Sequence, residues 1–263
     1  MRVKDRQNYI IDCANMRGYV SKADIAEALG ISKETVRRDI AQLCEKKLLQ
    51  RAKGGAEPIK NIVRRDVAYT SRVHQFRDER VSIGSAAASF IQDNDIIGLD
   101  SGVSIQAIAE AASGVKNVTF VTNSLPTALI LYGKIEMGAI SGRVIVIGGE
   151  MNNDRCASGA MACEMVNKFH YDTAFISCSA LSEDTVSAYN LDLCIISEDM
   201  LKNANQAILI AESDKLGKNS LYGFASLADF NKIIVDDKFS MPDEMKHIID
   251  KANIELIVTK RRK

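Results

Sequence analysis

The sequence lacks the residue patterns on which most metal-binding and catalytic assignments rest. Its six cysteines are scattered without a C-x-x-C pair, and none of its three histidines stands at ligand spacing from a cysteine. Free thiols buried as small apolar groups in a reducing compartment are the simplest interpretation of such cysteines. The sequence also contains no G-x-S-x-G motif and no Walker-type phosphate loop. We therefore expect neither a metal ion nor a cofactor.

Long apolar runs and a net charge are missing as well. No stretch is apolar over the roughly 20 residues that a membrane helix needs, and no signal peptide is recognisable, so we expect a cytoplasmic protein without a membrane partner. The charge is neutral only overall: residues 1–60 hold thirteen Lys or Arg and eight Asp or Glu, a net charge of +5, and the remainder carries −5. A basic N-terminal segment on an acidic body favours a DNA-binding head attached to a domain of another kind.

Residues 30–56 have the pattern of a recognition helix followed by a basic hairpin. Ser32 is a natural N-cap, and apolar residues recur after it at i, i+4 and i+7: Val36, Ile40 and Leu43. The rest of this helix presents polar side chains: Glu34, Thr35, Arg37, Arg38 and Gln42. Arginine, threonine and glutamine can hydrogen-bond to base edges or phosphates in a DNA groove. An ordinary amphipathic surface helix is the alternative for this helix taken alone.

The segments around this helix favour the DNA-binding interpretation. Ser21 stands three residues before Asp24, a capping spacing that predicts a short helix ending at Gly30. A first helix is predicted over residues 3–16, and residues 48–51 are predicted to form a strand that leads into a turn at residues 53–56. A helix, a helix-turn-helix and a basic hairpin follow each other in a winged helix-turn-helix.

These residues closely resemble the signature of the DeoR (deoxyribonucleoside-repressor) family of bacterial transcription regulators. The run from Ser32 to Asp39, Arg51, and the Lys-Gly-Gly-Ala turn at residues 53–56 carry the resemblance. It implies a regulator that binds double-stranded operator DNA. The candidate DNA-binding residues are Ser21, Ser32, Lys33, Thr35, Arg37, Arg38, Arg51 and Lys53.

Three parts are predicted along the chain: a DNA-binding domain over residues 1–57, a linker over 58–78, and an α/β domain over 79–263. The linker contains a charge cluster that we interpret as solvated, the alternative being that its arginines reach phosphate: Arg64, Arg65, Arg72, His74 and Arg77. Continuous apolar runs beyond residue 79 alternate with helical patterns, which is typical of a parallel sheet covered on both faces. The predicted strands are 96–99, 118–121, 143–147, 173–176, 207–211, 232–235 and, less clearly, 254–258.

Small and hydroxyl residues follow three of these strands, and ligands collect beyond the carboxyl ends of strands in open α/β sheets. A helix N-terminus with such residues suits phosphate. The DeoR resemblance extends to these loops and implies a fold similar to ribose-phosphate isomerases, a phosphorylated-sugar effector and a dimer or tetramer. The candidate effector-binding residues are Asp100, Ser101, Gly102, Ser104, Asn123, Gly149 and Lys215.

The sequence departs from the family pattern at three places in the effector domain. Val103 replaces a usual hydroxyl residue, Cys178 begins a stretch that replaces a glycine-containing turn, and Ser197-Glu198 replaces a usual Lys-Arg pair. A lost cation weakens phosphate binding, because charge-assisted contacts are the strong ones.

The leading hypothesis is a repressor of a sugar or carbohydrate operon that is not itself an enzyme. The alternative is a sugar-phosphate isomerase or transferase with a DNA-binding head, for which Asp100, Glu150, Asp172 and Lys215 are the candidate groups. Activation instead of repression also stays open, because the effect of a bound regulator on transcription depends on the position of its operator.

Overall fold

The computed structural model describes residues 3–17, 19–46, 48–58, 69–73, 75–239 and 241–260. These residues form two compact units, one within residues 1–64 and one within residues 65–263. Arg64, Arg65 and His74 of the predicted linker lie outside the described residues. None of the helices in the described ranges is long and apolar enough to cross a membrane.

The first unit contains helices and a small antiparallel sheet. Its elements are α1 (Val3–Arg17), β1 (Val20–Ser21), α2 (Lys22–Leu29), α3 (Lys33–Glu45), β2 (Leu49–Ala52) and β3 (Gly55–Pro58). The strand order is β1-β3-β2. Ile10 of α1, Ile25 of α2 and Val36 of α3 are buried in one core cluster. The predicted winged helix-turn-helix is confirmed, but the hairpin turn is shorter than predicted because Gly55 and Ala56 already pair within the sheet.

The second unit is built on a seven-stranded parallel sheet. Its helices are α4 (Tyr69–Arg72), α5 (Arg77–Ala88), α6 (Val103–Ala111), α7 (Leu125–Glu136), α8 (Ala160–Val166), α9 (Leu191–Lys202) and α10 (Asp243–Ala252). Its strands are β4 (Ile96–Leu99), β5 (Val118–Thr122), β6 (Gly142–Val146), β7 (Glu150–Met151), β8 (Ala157–Ser158), β9 (Tyr171–Ser177), β10 (Ala180–Ser182), β11 (Thr185–Ala188), β12 (Ala204–Ala211), β13 (Tyr222–Ser226), β14 (Lys232–Asp236) and β15 (Glu255–Thr259).

All seven predicted strands lie in the parallel sheet, in the order β15-β14-β12-β9-β4-β5-β6. Apolar side chains fill both faces: Phe175 and Ile208 pack with α5 and α6 residues such as Ile83 and Ile105. The neighbouring Ile176 packs instead with a cluster that includes residues of α9 and α10. This double burial explains why the strands are apolar at every position and do not alternate.

The chain runs from β4 outward through β5 to β6, and then returns to form β9 on the other side of β4. The carboxyl ends of β4 and β9 therefore flank a topological switch point, where a crevice opens in such sheets. Two small antiparallel sheets, β7-β8 and β10-β11-β13, supplement the large one. Sequence patterns did not predict them because their strands are short and follow no long apolar run.

Candidate nucleic-acid interface and candidate ligand site

Helix α3 is held rigidly by its cap and by α1. The Ser32 hydroxyl accepts a hydrogen bond from the Thr35 amide at 3.1 Å and shares another with the Thr35 hydroxyl at 2.9 Å. Asp39 is buried and forms an ion pair with the Arg6 guanidinium of α1 through both carboxylate oxygens. Asp39 directly follows the exposed Arg37 and Arg38 in the sequence. Its ion pair with Arg6 therefore fixes which side of α3 faces α1 and which side carries the two arginines into solvent.

The exposed side of α3 carries the two arginines singled out from the sequence. The side chains of Arg37 and Arg38 are 59% and 73% exposed. Both donate to the Glu34 carboxylate, Arg37 through two nitrogens at 2.7 Å and Arg38 through Nε at 3.3 Å. The hydrogen bonds from Arg37 lower the pKa of Glu34 to about 2. The arginines are thus pre-arranged around one exposed carboxylate and remain open to a second anion.

The remaining candidate residues of this unit lie at a helix cap and on the hairpin. Ser21 accepts from the Asp24 amide at 3.0 Å and caps α2, as its spacing predicted. Lys53 and Gly54 form the hairpin tip, and the Tyr19 hydroxyl donates to the Lys53 carbonyl at 3.1 Å. The candidate cations are all exposed: Lys33, Arg37, Arg38, Arg51 and Lys53. Exposed cations on a capped helix and a short hairpin can contact backbone phosphates and base edges.

In the second unit, the loop after β4 is built around Asp100. Leu99 pairs with Thr122 of β5 and with Phe175 of β9, so Asp100 lies between the ends of two neighbouring strands. Its side chain is 1% exposed and accepts from the Ser177 amide at 3.1 Å and the Ser197 hydroxyl at 3.0 Å. Burial raises the pKa of Asp100 to about 6, although these hydrogen bonds partly offset the shift. Asp100 therefore holds the loop through buried hydrogen bonds to Ser177 and Ser197.

The backbone of this loop is shaped by Gly102. The Ser177 hydroxyl donates to the Ser101 carbonyl at 2.9 Å, which holds the loop against β9. Gly102 precedes α6 at a φ of +113°, and a Cβ atom there would lie 3.1 Å from the Ser177 hydroxyl oxygen. Both the backbone angle and the close approach favour glycine. The amide groups at the start of α6 consequently face the crevice edge of the sheet.

A buried ion pair lies beside the start of α6. Glu212 follows β12 and accepts from the Ser104 hydroxyl through Oε1, while its Oε2 lies 2.5 Å from Lys215 Nζ. The Lys215 side chain is 15% exposed. Burial by itself would lower the pKa of Lys215, but the Glu212 carboxylate outweighs that effect and the pKa is raised. Lys215 is therefore charged, and Glu212 already balances its charge.

The two remaining candidate residues, Asn123 and Gly149, both contact strand β8. Asn123 Nδ2 donates to the Ala157 carbonyl at 3.1 Å, and the backbone amide of Ala157 donates to the backbone carbonyl of Asn123 at 2.8 Å. A Cβ atom on Gly149, whose φ is +154°, would lie 2.6 Å from the Ser158 carbonyl oxygen. Residues 150–158 thus form a short hairpin over the end of β5 that brings Asn123 and Gly149 to the same segment.

The structure adds contacts that the sequence did not predict. Ser177 and Ser197 hold Asp100, and Glu212 connects Ser104 with Lys215. Glu212 could have been found from sequence, since it follows a buried strand directly, as Asp100 does. Arg72, interpreted above as a solvated linker charge, instead forms a partly buried ion pair with Asp154. That interpretation was wrong because Arg72 belongs to α4, a helix of the second unit.

Two groups proposed for the enzyme alternative are also placed differently. Asp172 lies near the start of β9, where it accepts from the Ile96 amide at 2.8 Å. It therefore lies at the amino-terminal edge of the sheet, opposite the edge that carries Asp100, so the structure does not bring these two candidate groups together. Glu150 is exposed on β7. Conversely, the Glu212–Lys215 pair is a carboxylate–lysine pair that the sequence analysis had not recognised.

The capped helix with exposed arginines and the separate α/β unit define a two-part DNA-binding regulator, and comparisons with known proteins give its family. Residues 6–62 match the model of a DeoR-like helix-turn-helix domain. Residues 75–237 match the model of the DeoR C terminal sensor domain. The chain belongs to the DeoR family of transcriptional regulators, as the resemblance of its motifs implied.

Curated relatives match over nearly the whole chain. The HTH-type transcriptional repressor GlcR of Bacillus subtilis is 27% identical over 263 residues, which cover 99% of this chain and 98% of that protein. The lactose phosphotransferase system repressor of Staphylococcus aureus (strain NCTC 8325 / PS 47) is 28% identical over 258 residues, which cover 98% and 100%. Among solved structures, ribose 5 phosphate isomerase A from Neisseria gonorrhoeae aligns over 56% of each chain, with a TM-score of 0.38 and 14% identity.

Proposed function

We propose that this protein is a sequence-specific, DNA-binding repressor of a carbohydrate-metabolism operon and that a phosphorylated sugar controls it. The observation that carries the proposal is the exposed pair Arg37 and Arg38 on a helix whose back is locked by the Arg6–Asp39 ion pair. A rigid helix that presents two arginines suits the major groove. The repressor names of two relatives that match nearly the whole chain support the same function.

The proposed effector site is the crevice edge of the second unit. The start of α6 offers backbone amides to a phosphate, and Lys215 adds a charged donor beside Ser104. Asp100 is too buried to be the main contact, so we assign it to holding the loop. Asn123 and Gly149 complete the site through β8.

The Glu212–Lys215 pair is the observation that keeps the enzyme alternative testable. We favour binding over catalysis because Glu212 balances the charge of Lys215, and because Asp172 lies at the opposite edge of the sheet. Turnover of a sugar phosphate, followed by NMR and lost in a Lys215→Met variant, would establish catalysis instead.

The operator test compares the wild type with an Arg37→Ala, Arg38→Ala double variant on a duplex selected by the wild-type protein from random sequences. We expect the double variant to lose at least about tenfold in affinity, with a shallower salt dependence if phosphate contacts are lost. Arg143→Ala, which removes an exposed arginine from β6, is the matched control and should bind as the wild type does. Unchanged operator affinity in the double variant would refute the assignment of α3. Sugar phosphates added to the wild-type complex should weaken it about 5–150-fold.

A further inference from the structure

Helix α4, which the chain reaches just before α5, is attached to two elements of the candidate ligand site. The Tyr69 hydroxyl donates to Gln106 Oε1 of α6 at 3.0 Å. The Arg155 guanidinium lies 4.8 Å from the centre of the Tyr69 ring, within the range of a cation–π contact. Arg72 donates through Nη2 to Asp154 Oδ1. Helix α4 is therefore bound to α6 and to residues 154–155.

The loop that receives these contacts is itself bonded to the end of β5. The Arg155 carbonyl accepts from the Leu125 amide at 3.1 Å, and Cys156 forms a bridge with Ser124. The next residue, Ala157, pairs with Asn123 through the two hydrogen bonds described above. Burial raises the pKa of Cys156, and the charge of Arg72 offsets a small part of that rise. Arg72 consequently lies close to the strand end that carries Asn123.

Three buried polar atoms in this region have no hydrogen-bond partner among the described residues: Arg72 Nε, Asn152 Nδ2 and Asn123 Oδ1. The first two are donors and the third is an acceptor. Buried polar atoms are nearly always paired, so the combination indicates an occupant that both accepts and donates hydrogen bonds. A phosphorylated polyol does both, since its phosphate oxygens accept and its hydroxyls donate.

We propose that Arg72 is a ligand-binding residue, and that it exchanges Asp154 for the phosphate of a phosphorylated sugar while Asn123 Oδ1 accepts one of the sugar hydroxyls. This inference rests on the proposed function and names a cation for its site. A phosphate dianion can displace a carboxylate from arginine because it offers more charge and a matching fork of oxygens.

The test uses two variants that break the same ion pair in opposite senses. Arg72→Gln removes the proposed phosphate ligand, and Asp154→Asn removes its competitor. Calorimetric titration of the full chain with inorganic phosphate and with a set of hexose and pentose monophosphates, at constant ionic strength, should show at least about tenfold weaker binding for Arg72→Gln. Asp154→Asn should bind the same probes about threefold more tightly or better. Arg143→Gln is the matched control and should not change the affinity.

A structural ion pair would give a different result, because both variants would then lose stability and affinity alike. Equal losses in the two variants would overturn the proposal, as would sugar-phosphate binding that Arg72→Gln leaves unchanged; the second result would leave the proposed function standing. No binding of any probe by the wild type would overturn both the proposal and the effector part of the proposed function. Melting temperature and effector-free operator affinity check that each variant is folded, and Arg72→Lys should recover part of the affinity.

Discussion

The two units place their functional side chains in opposite ways. In the first unit, the candidate contacts are exposed cations within one helix and the hairpin that follows it, and one buried ion pair between α1 and α3 supports them. In the second unit, the candidate contacts are mostly buried and come from the ends of separate strands, with Asp100 after β4, Asn123 after β5 and Glu212 after β12.

This difference separates binding from stability in the first unit and couples them in the second. Replacing Arg37 or Arg38 removes charge from solvent and leaves the core untouched, so it should change affinity alone. Replacing Asp100 or Glu212 alters buried hydrogen bonds, so ligand binding and the free energy of unfolding should change together. A variant of Arg37 or Arg38 that changes stability, or a variant of Asp100 or Glu212 that changes only ligand binding, would contradict this difference between the units.

The largest effect should follow from Asp39→Ala, because it leaves Arg6 without its partner. Asp39 is buried and Arg6 remains at the edge of solvent, so we expect a loss of about 3 kcal/mol, the low end for breaking a buried pair. Hydrogen exchange of the α3 amides in the full chain measures the local free energy of opening. The double variant Arg6→Met, Asp39→Leu should recover most of the lost stability. Glu45→Ala, at the exposed end of α3, is the control. Unchanged protection in Asp39→Ala would show that the cap and the apolar face alone fix the helix.

The second expectation concerns helix α7 of the second unit, whose exposed face is apolar, whereas the exposed face of α3 is charged. Leu125, Leu129 and Tyr132 recur at i, i+4 and i+7 on α7, and Leu129 and Tyr132 are 63% and 56% exposed. We expect this stripe to pair with its copy in a second chain about a twofold axis, because two recognition helices provide the contacts that one cannot. Leu129→Asp should raise the dimer dissociation constant about 30-fold, since two leucines lose their burial.

Analytical ultracentrifugation measures this constant, and Leu221→Asp provides a matched control because Leu221 is equally exposed on another part of the unit. The same oligomer in Leu129→Asp as in the wild type would exclude α7 from the interface. Weaker operator binding in Leu129→Asp alone would link assembly to DNA recognition.

The comparison also explains what could be predicted from sequence. The caps at Ser21 and Ser32 and the arginines of α3 are local in sequence, so spacing was sufficient to predict them. The seven parallel strands were predictable because both of their faces are buried, which makes each an unbroken apolar run. The contacts of Asp100 with Ser197, and of Arg72 with Asp154, join residues 97 and 82 positions apart. No pattern within one segment contains such pairs, since they exist only after helices and loops pack on the sheet.

The smallest expected effect sharpens the comparison by pH. The pKa of Asp100 is raised from 3.8 to about 6 in the folded protein, so the folded state binds this proton more tightly than the unfolded chain does. Stability contributed by Asp100 therefore increases as the pH falls through about 6, and it is lost as the pH rises. Between pH 7 and pH 5 the difference in unfolding free energy between the wild type and Asp100→Asn should shift by about 1 kcal/mol in favour of the wild type. Urea titrations at the two pH values measure it, and the pKa of Asp214, also raised to about 6 by burial, cancels because both proteins contain it. An identical pH dependence in the two proteins would mean that the hydrogen bonds to Asp100 fully offset the effect of its burial, and the pKa would then be the same in the folded and unfolded states.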